Sequence, residues 1–283
     1  MKLPVSIPTW QEIFAAVHLD NIGAGDTSAD PLQVHYIDVG QGDSILIQYK
    51  KHNILIDAGE NGRGDSIIKY LKKQGVSSLD YMIATHPHSD HIGGMDEVIN
   101  QIPAKEVFMT RLSEGMTPTT KSYTSLLYAI GESGARLTAP QNGQKIQWDD
   151  LILTFMVPKA DYDNLNNMSI VVKIDYQNCS YLFTGDAEKE REKELLALET
   201  DLQADVLKAG HHGSSTSSSP NFVHAVAPKI AVISCGKDND YGHPSKTTLD
   251  ILSNCKVYRT DRSGSVVVSC DGQKYNISEE KAA

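Results

Sequence analysis

No stretch of this chain approaches the roughly 18 consecutive apolar residues that a membrane-crossing helix requires. Met1 to Asp30 also lacks the basic start and apolar core of a signal peptide. The expectation is therefore a chain without stable membrane insertion, its compartment and oligomeric state left open. Basic residues are in short supply: 26 Lys and Arg stand against 36 Asp and Glu, a net charge of −10 at pH 7. An extended nucleic-acid surface normally shows a basic face, so this balance disfavours tight, processive handling of a polyanion. Cysteine is scarce as well. Cys179, Cys235, Cys255 and Cys270 have no metal-binding spacing, and nothing marks one as a nucleophile. They allow two disulfides in an oxidising compartment, but each lies in or beside an apolar run, so buried free thiols are expected.

Histidine is concentrated where other reactive types are missing. Thr85-His86-Pro87-His88-Ser89-Asp90-His91-Ile92-Gly93-Gly94 packs three imidazoles and a carboxylate into six residues. It follows the apolar run Leu79–Ala84, which suits a buried strand. His86 and His88 are two apart, so extended backbone points both the same way. Nitrogen and oxygen donors without cysteine suit Zn²⁺, Mn²⁺ or Fe²⁺ in an open site rather than a closed structural zinc. Four ligands at this spacing favour two ions, His86 and His88 on one, Asp90 and His91 on the other.

This motif resembles the His-x-His-x-Asp-His signature of the metallo-β-lactamase superfamily. Tyr36-Ile37-Asp38-Val39-Gly40-Gln41-Gly42-Asp43-Ser44 is similar to the opening signature of one branch, the hydrolase domain of the competence DNA-uptake protein ComEC and its free-standing relatives. Leu182–Asp186, Lys208–Ser214 and Tyr241–Ser245 match that branch in the same order, so the resemblance spans about residues 33 to 270. It implies an α/β fold, a four-layer αββα sandwich. Residues 1–31 are then an N-terminal extension or linker, 32–278 the hydrolase domain and 279–283 a C-terminal tail. Within 1–31, Ile13–Val17 has the makings of a short helix and Gly23–Pro31 of a linker.

Local patterns agree with alternating strands and helices. Val34–Val39, Ser44–Tyr49 and Asn53–Asp57 read as a meander, and Leu151–Val157, Ser169–Asp175 and Ser180–Phe183 as another. Ile67, Ile68, Tyr70 and Leu71 place a helix over Ser66–Gln74; Met95–Gln101 and Tyr123–Ile130 are two more, with a short strand at Ala135–Thr138. Glu188–Leu198 reads as an amphipathic helix whose charges, Glu188 to Glu194, form a solvated face.

Asp186 leaves an apolar strand through Gly185 and is the candidate bridging ligand, since a shared carboxylate offsets repulsion between two cations. An N-cap role for it is compatible. His211 and His212 are adjacent, so both serve the site only if the backbone turns there. His212 is assigned to the ion of Asp90 and His91, and His211 to support or substrate, with exchange of the two left open. Asp57, closing a strand, is expected to orient a ligand. Asp38 and Asp43, beside glycines, are not taken as ligands. Many superfamily members carry a further histidine before the bridging aspartate; here none occurs between His91 and His211. Asn167 stands in that region with its amide near the vacancy. Ser214 opens a hydroxyl-rich loop expected to face phosphate. His243 is a proton donor to the leaving group or a phosphate contact. Asp90, His211 and His243 are thus the candidate catalytic residues, and His18, His35, His52 and His224 fit no ligand spacing.

Two divalent ions, Zn or Mn, activating a water suit hydrolysis of phosphodiesters, lactams, thioesters or lactones alike. The resemblance selects among these, because that branch includes metal-dependent nucleases and a cell-wall phosphorylcholine esterase. The expected activity is a metal-dependent phosphodiesterase with DNA as leading substrate. The alternatives are hydrolysis of a small phosphodiester, a phosphorylcholine ester or another ester, and a non-catalytic partner of a DNA-uptake channel. Lys173, Lys208, Lys237, Lys246, Arg259 and Arg262 are the cations expected around the cleft.

Overall fold

The computed structural model describes residues 31–198 and 200–281. The first six strands, β1 (Leu32–Tyr36), β2 (Ile45–Tyr49), β3 (His52–Ile56), β4 (Leu79–Ala84), β5 (Ala104–Met109) and β6 (Arg136–Thr138), lie side by side in chain order. A second sheet takes β7 (Lys145–Trp148), β8 (Leu151–Met156), β9 (Val171–Tyr176), β10 (Cys179–Phe183), β11 (Val206–Lys208), β12 (Ile230–Ile233) and β13 (Lys256–Arg259). The chain then returns to the first sheet, where β14 (Val266–Cys270) pairs with β1 and β15 (Tyr275–Glu279) forms the edge. Each sheet starts as an antiparallel meander and becomes parallel, at β3–β4 in the first and β10–β11 in the second.

Period-two alternation decides which side chains meet. Leu32, Val34 and Tyr36 of β1 and Ile45, Ile47 and Tyr49 of β2 face Leu151, Leu153 and Phe155 of β8 and Val172, Ile174 and Tyr176 of β9 in one inter-sheet core. The intervening Leu46, Leu55 and Met82 point outward into a second core. That core lies under helices α1 (Gly64–Lys73), α3 (Met95–Gln101) and α4 (Lys121–Ser133), with the short α2 (Ser89–Ile92) before α3. On the opposite side Leu182, Leu207 and Ala231 pack with α5 (Lys189–Leu196) and α6 (Pro220–Val226). The result is the expected αββα sandwich, with element bounds within a few residues of those read from the sequence.

Three expectations change. The charged face of α5 is not all solvated, because Arg191 is fully buried and Glu192 nearly so. Arg191 donates to the Met156 carbonyl at the end of β8, and the Glu192 carboxylate accepts the Ser218 and Ser219 amides. Hydrogen bonds from a neighbouring loop, invisible to helical periodicity, keep these charges inside. Second, Cys179 and Cys270 are not free thiols but a disulfide joining β10 to β14, hence one sheet to the other; Cys235 and Cys255 remain free. Third, β15 runs to Glu279, and the Glu280 carboxylate accepts from the Ser265 amide, so the ordered fold passes the expected boundary at 278. The short helix at 13–17 and the linker at 23–31 fall outside the described residues, apart from Pro31. Among the described residues no helix is long and apolar enough to cross a membrane.

The disulfide closes a loop over a sequence separation of 91. Replacing Cys179 or Cys270 by Ser is expected to lower stability by about 2–4 kcal/mol, chiefly by freeing the unfolded chain. Urea unfolding of the oxidised parent and the variant reads this, and peptide mapping without reductant identifies the linked pair. Equal midpoints, or mapping that finds both cysteines unlinked, would reject the cross-sheet staple.

Candidate metal centre

The parallel strands of both sheets send their carboxyl ends to one edge. Asp57 follows β3, His86 lies two residues past β4, Asp186 leaves β10, and His211 and His212 follow β11. Crevices beyond the carboxyl ends of parallel strands collect ligands because the loops there converge.

Ring nitrogens and carboxylates meet at ligand-like separations. Two ligands on one tetrahedral ion, each roughly 2.0–2.1 Å from it, stand roughly 3.3 Å apart. His212 Nε2 lies 3.1 Å from Asp90 Oδ2 and 3.5 Å from Asp186 Oδ2. His91 Nε2 lies 3.3 Å from Asp186 Oδ1 and 3.8 Å from Asp90 Oδ2. These four residues place one ligand atom each within 4.8 Å of the others. On the other side His86 Nε2 is 3.0 Å from His88 Nδ1 and 3.9 Å from Asp186 Oδ2. Asp186 therefore touches both sets. His91 Nε2 and Asp186 Oδ1 are buried with no hydrogen-bond partner. Such orphaned atoms are costly, and a divalent cation would satisfy both, so the residues present fit the metal that the motif implies.

Backbone conformation makes this convergence possible. His211 (φ 50°, ψ 48°) and His212 (φ 54°, ψ 22°) are both left-handed. That is the turn that lets two adjacent imidazoles approach the same carboxylate, with His211 Nε2 3.7 Å from Asp186 Oδ2. Gly42 (φ +125°) lies against the metal loop, where any Cβ would overlap the Asp90 carbonyl oxygen. The next amide, Asp43 N–H, donates to that same oxygen at 3.1 Å.

A buried layer orients the ligands. Asp57 accepts from the Thr85 amide (2.9 Å) and hydroxyl (2.7 Å) and from His91 Nδ1 (2.7 Å), turning His91 Nε2 inward. His212 Nδ1 donates to the Ser234 carbonyl at 3.1 Å, and Asp43 Oδ1 stands 3.4 Å away. Asp43 is held by Lys208 Nζ at 2.7 Å, both nearly inaccessible to solvent. Burial alone would depress the pKa of His91 and His212. The carboxylates of Asp186, Asp90 and Asp57 raise His91 well above its usual value, and those of Asp186 and Asp43 do the same for His212. Burial would raise Asp186, but the charges of His212 and His91 hold it well below the ordinary carboxylate range. Burial, followed by the charge of His91, pushes His86 well down, and burial pushes His88 down.

The centre opens into a cleft of about 630 Å³ lined by His88, Asp90, Asp186, His211, His212 and His243, among others. Three expected features are not found in it. Asn167 is turned away, its Oδ1 accepting the Glu188 amide (2.9 Å) and its Nδ2 facing Glu190; its neighbour Asn166 lines the wall instead. Ser214 is nearly buried and bonded to Thr216, and its loop folds back on Ala187 and Glu192 rather than facing the opening. None of the expected lysines and arginines lines the cleft. Lys208 is buried on Asp43, while Lys173, Lys246 and Arg259 pair with Asp201, Asp250 and Asp261. Glu60, Asp238 and Asp240 stand in the lining instead.

His243 does reach the cleft. Gln41 Oε1 accepts the Gly236 amide, so its Nε2 faces His243 Nδ1 (3.5 Å), and the imidazole proton sits on Nε2. Burial, then the charges of His212 and His211, pull its pKa to about 4. A ring uncharged at neutral pH offers the cleft a single N–H donor. Sequence reasoning missed Asp43, Lys208 and Glu188 as supports. A buried ion pair between residues 165 positions apart leaves no periodic trace, although each flanks a glycine-bearing motif that was recognised.

Comparison with known proteins agrees with this fold. The Metallo-beta-lactamase superfamily pattern matches residues 37–237. The chain is 32% identical over 255 residues to ComE operon protein 3 of Bacillus subtilis, covering 83% of this chain but 32% of that protein, so it spans about a third of that relative. A 59-residue segment is 41% identical to Ribonuclease Z of Clostridioides difficile, 21% of this chain and 18% of the relative. Among solved structures, the metallo-beta-lactamase fold protein YhfI of Bacillus subtilis superposes with a TM-score of 0.55 at 13% identity, covering 85% of this chain and all of that one.

The carboxylates around His91 and His212 favour their protonated forms, so a divalent cation would compete with protons for these ring nitrogens. Cation affinity is expected to rise with pH, with proton release visible as a calorimetric enthalpy that varies with the buffer's ionisation enthalpy. Buffer-independent heats and pH-independent affinity would show that these imidazoles are uncharged or take no part.

Proposed function

The chain belongs to the metallo-β-lactamase superfamily, and on that premise we propose that it is a metal-dependent phosphodiesterase, with DNA as the leading substrate class. The observation that carries this reading is the quartet Asp90, His91, Asp186 and His212, two of whose buried atoms, His91 Nε2 and Asp186 Oδ1, lack partners at the foot of an open cleft. Its similarity to a competence-operon protein and, over a short segment, to a ribonuclease supports phosphodiester chemistry. Two divalent cations, Zn or Mn, bound there would lower the pKa of water and polarise a phosphoryl oxygen. Asp90, His91 and His212 would hold one ion, His86 and His88 the other, and Asp186 both. Asp57 and Asp43 keep the imidazoles aligned. His243 Nε2–H, and His211 braced by Glu188 at 3.1 Å, donate to phosphate oxygens.

The acidic lining favours a second reading, hydrolysis of a small phosphodiester or phosphorylcholine ester. Glu60, Asp238 and Asp240 repel a long polyanion, and the cleft volume is that of small-ligand sites, roughly 300–1,000 Å³. If DNA is the substrate, few phosphates are neutralised by the protein. Its affinity is then expected to change little between roughly 50 and 200 mM salt; a steep decline would reveal a basic surface that the cleft does not show.

A panel of bis(p-nitrophenyl) phosphate, single- and double-stranded DNA, a phosphorylcholine ester and nitrocefin, with Mn²⁺ or Zn²⁺, tests the reading. Phosphodiester turnover should exceed nitrocefin turnover, and the reverse order would overturn it. His243→Ala should keep its metal and slow p-nitrophenyl and DNA substrates by similar factors, as loss of a phosphate contact requires. A loss of roughly 10²–10⁴-fold confined to the poorer leaving group would instead make His243 the proton donor. His212→Ala should lower metal content and both rates together.

A further inference from the structure

The turn Leu165–Met168 forms the cleft wall beside His88 and Asp186 through Leu165 and Asn166, of which only Asn166 has a polar side chain. Glu188 anchors this turn. Its Oε2 accepts from Asn164 Nδ2 at 2.8 Å, and its Oε1 from Asn166 Nδ2 at 3.2 Å and from the Thr216 hydroxyl at 2.9 Å. A carboxylate only accepts, so the Asn166 amide cannot be reversed, and its orientation is settled by chemistry. Asn164 Oδ1 fixes the backbone as well, accepting the Asn166 amide at 3.0 Å.

That orientation leaves Asn166 Oδ1 at the free end. The residue is 7% exposed, yet its Oδ1 is buried and no donor meets it. The side chain shares the cleft lining with His88 and Asp186. A buried carbonyl oxygen without a partner costs roughly 1–3 kcal/mol. Of the other orphaned atoms around the centre, His91 Nε2 and Asp186 Oδ1 belong to expected ligands, while Asp43 Oδ1 and Ser234 Oγ lie behind His212 in the supporting layer and do not line the cleft. No histidine lies between His91 and His211, so the His86–His88 ion has two imidazoles and a share of Asp186. An amide oxygen is a hard, neutral donor suited to Mn²⁺ and similar ions, whereas imidazole draws Zn²⁺ more strongly.

We propose that Asn166 Oδ1 is a ligand to the ion held by His86 and His88, giving that position an oxygen donor and a bias toward Mn²⁺ over Zn²⁺. This rests on the two-ion reading above. The sequence places an asparagine pair here, and the Glu188 bridge selects the first of the two.

Metal-stripped full-length protein is titrated with Mn²⁺ and with Zn²⁺ by calorimetry, and bound ions per chain are counted by elemental mass spectrometry after dialysis. The parent should bind two ions. Asn166→Ala should keep the tighter ion and weaken the other at least tenfold, the order seen when metal-orienting groups are removed. Asn166→His should restore the second ion with its preference moved toward Zn²⁺, and Asn166→Asp should tighten it. Circular dichroism checks folding, and the His and Asp variants give the answer if the Ala variant does not fold. If the Ala variant holds two ions undiminished, or the His variant leaves the Mn²⁺/Zn²⁺ preference unchanged, Asn166 is not a ligand. A parent that never takes up more than one ion overturns the two-ion reading together with this proposal.

Discussion

A carboxylate at 2% exposure is untenable without positive charge against it. Asp186 is that carboxylate, and the centre is arranged around it. It leaves β10 on the second sheet, while His86 and His91 come from the loop after β4 on the first. The two sheets are thus joined at their active edge by electrostatics, as they are joined elsewhere by Cys179–Cys270 and by apolar packing. The carboxylates around His91 and His212 raise the pKa of both rings, so imidazolium charge and a bound cation would be alternative sources of the positive charge that Asp186 requires. The same geometry serves both states because the competing species are all positive.

Rigidity comes from a second tier that touches no substrate. Asp57 grips His91 and Thr85, and Asp43 stands behind His212 with Lys208 neutralising it. Removing one partner of a buried pair leaves an uncompensated charge, typically a loss of several kcal/mol. Lys208 is consequently fixed in the interior rather than available to phosphate. The Ser214–Ser219 loop is likewise committed inward, its Ser218 and Ser219 amides donating to buried Glu192 on α5. Residues that look phosphate-binding by composition are used to stabilise the scaffold.

The open side of the centre is consequently polar and acidic. Glu60, Asp238 and Asp240 surround an entrance to which the protein brings imidazole and amide donors but, among the lining residues, no Lys or Arg. In such a cleft a bound cation would be the main source of attraction for any anionic group.

The amino-acid sequence by itself determined the layers and the ligand types. Apolar runs marked the two strand meanders, and the ordered motifs implied the sandwich that stacks them. The six residues from His86 to His91 named most of a metal site, because local spacing and strand geometry constrain each other. What only the tertiary structure decided were relations with no local signature. The left-handed turn at His211 and His212 allows both rings to approach Asp186. The Lys208–Asp43 pair spans 165 positions, and Arg191 and Glu192 are buried because loops from elsewhere supply their partners. The choice of Asn166 over Asn167 follows from which amide Glu188 holds. Each of these depends on a hydrogen bond or ion pair formed across the fold, where sequence distance carries no information about contact.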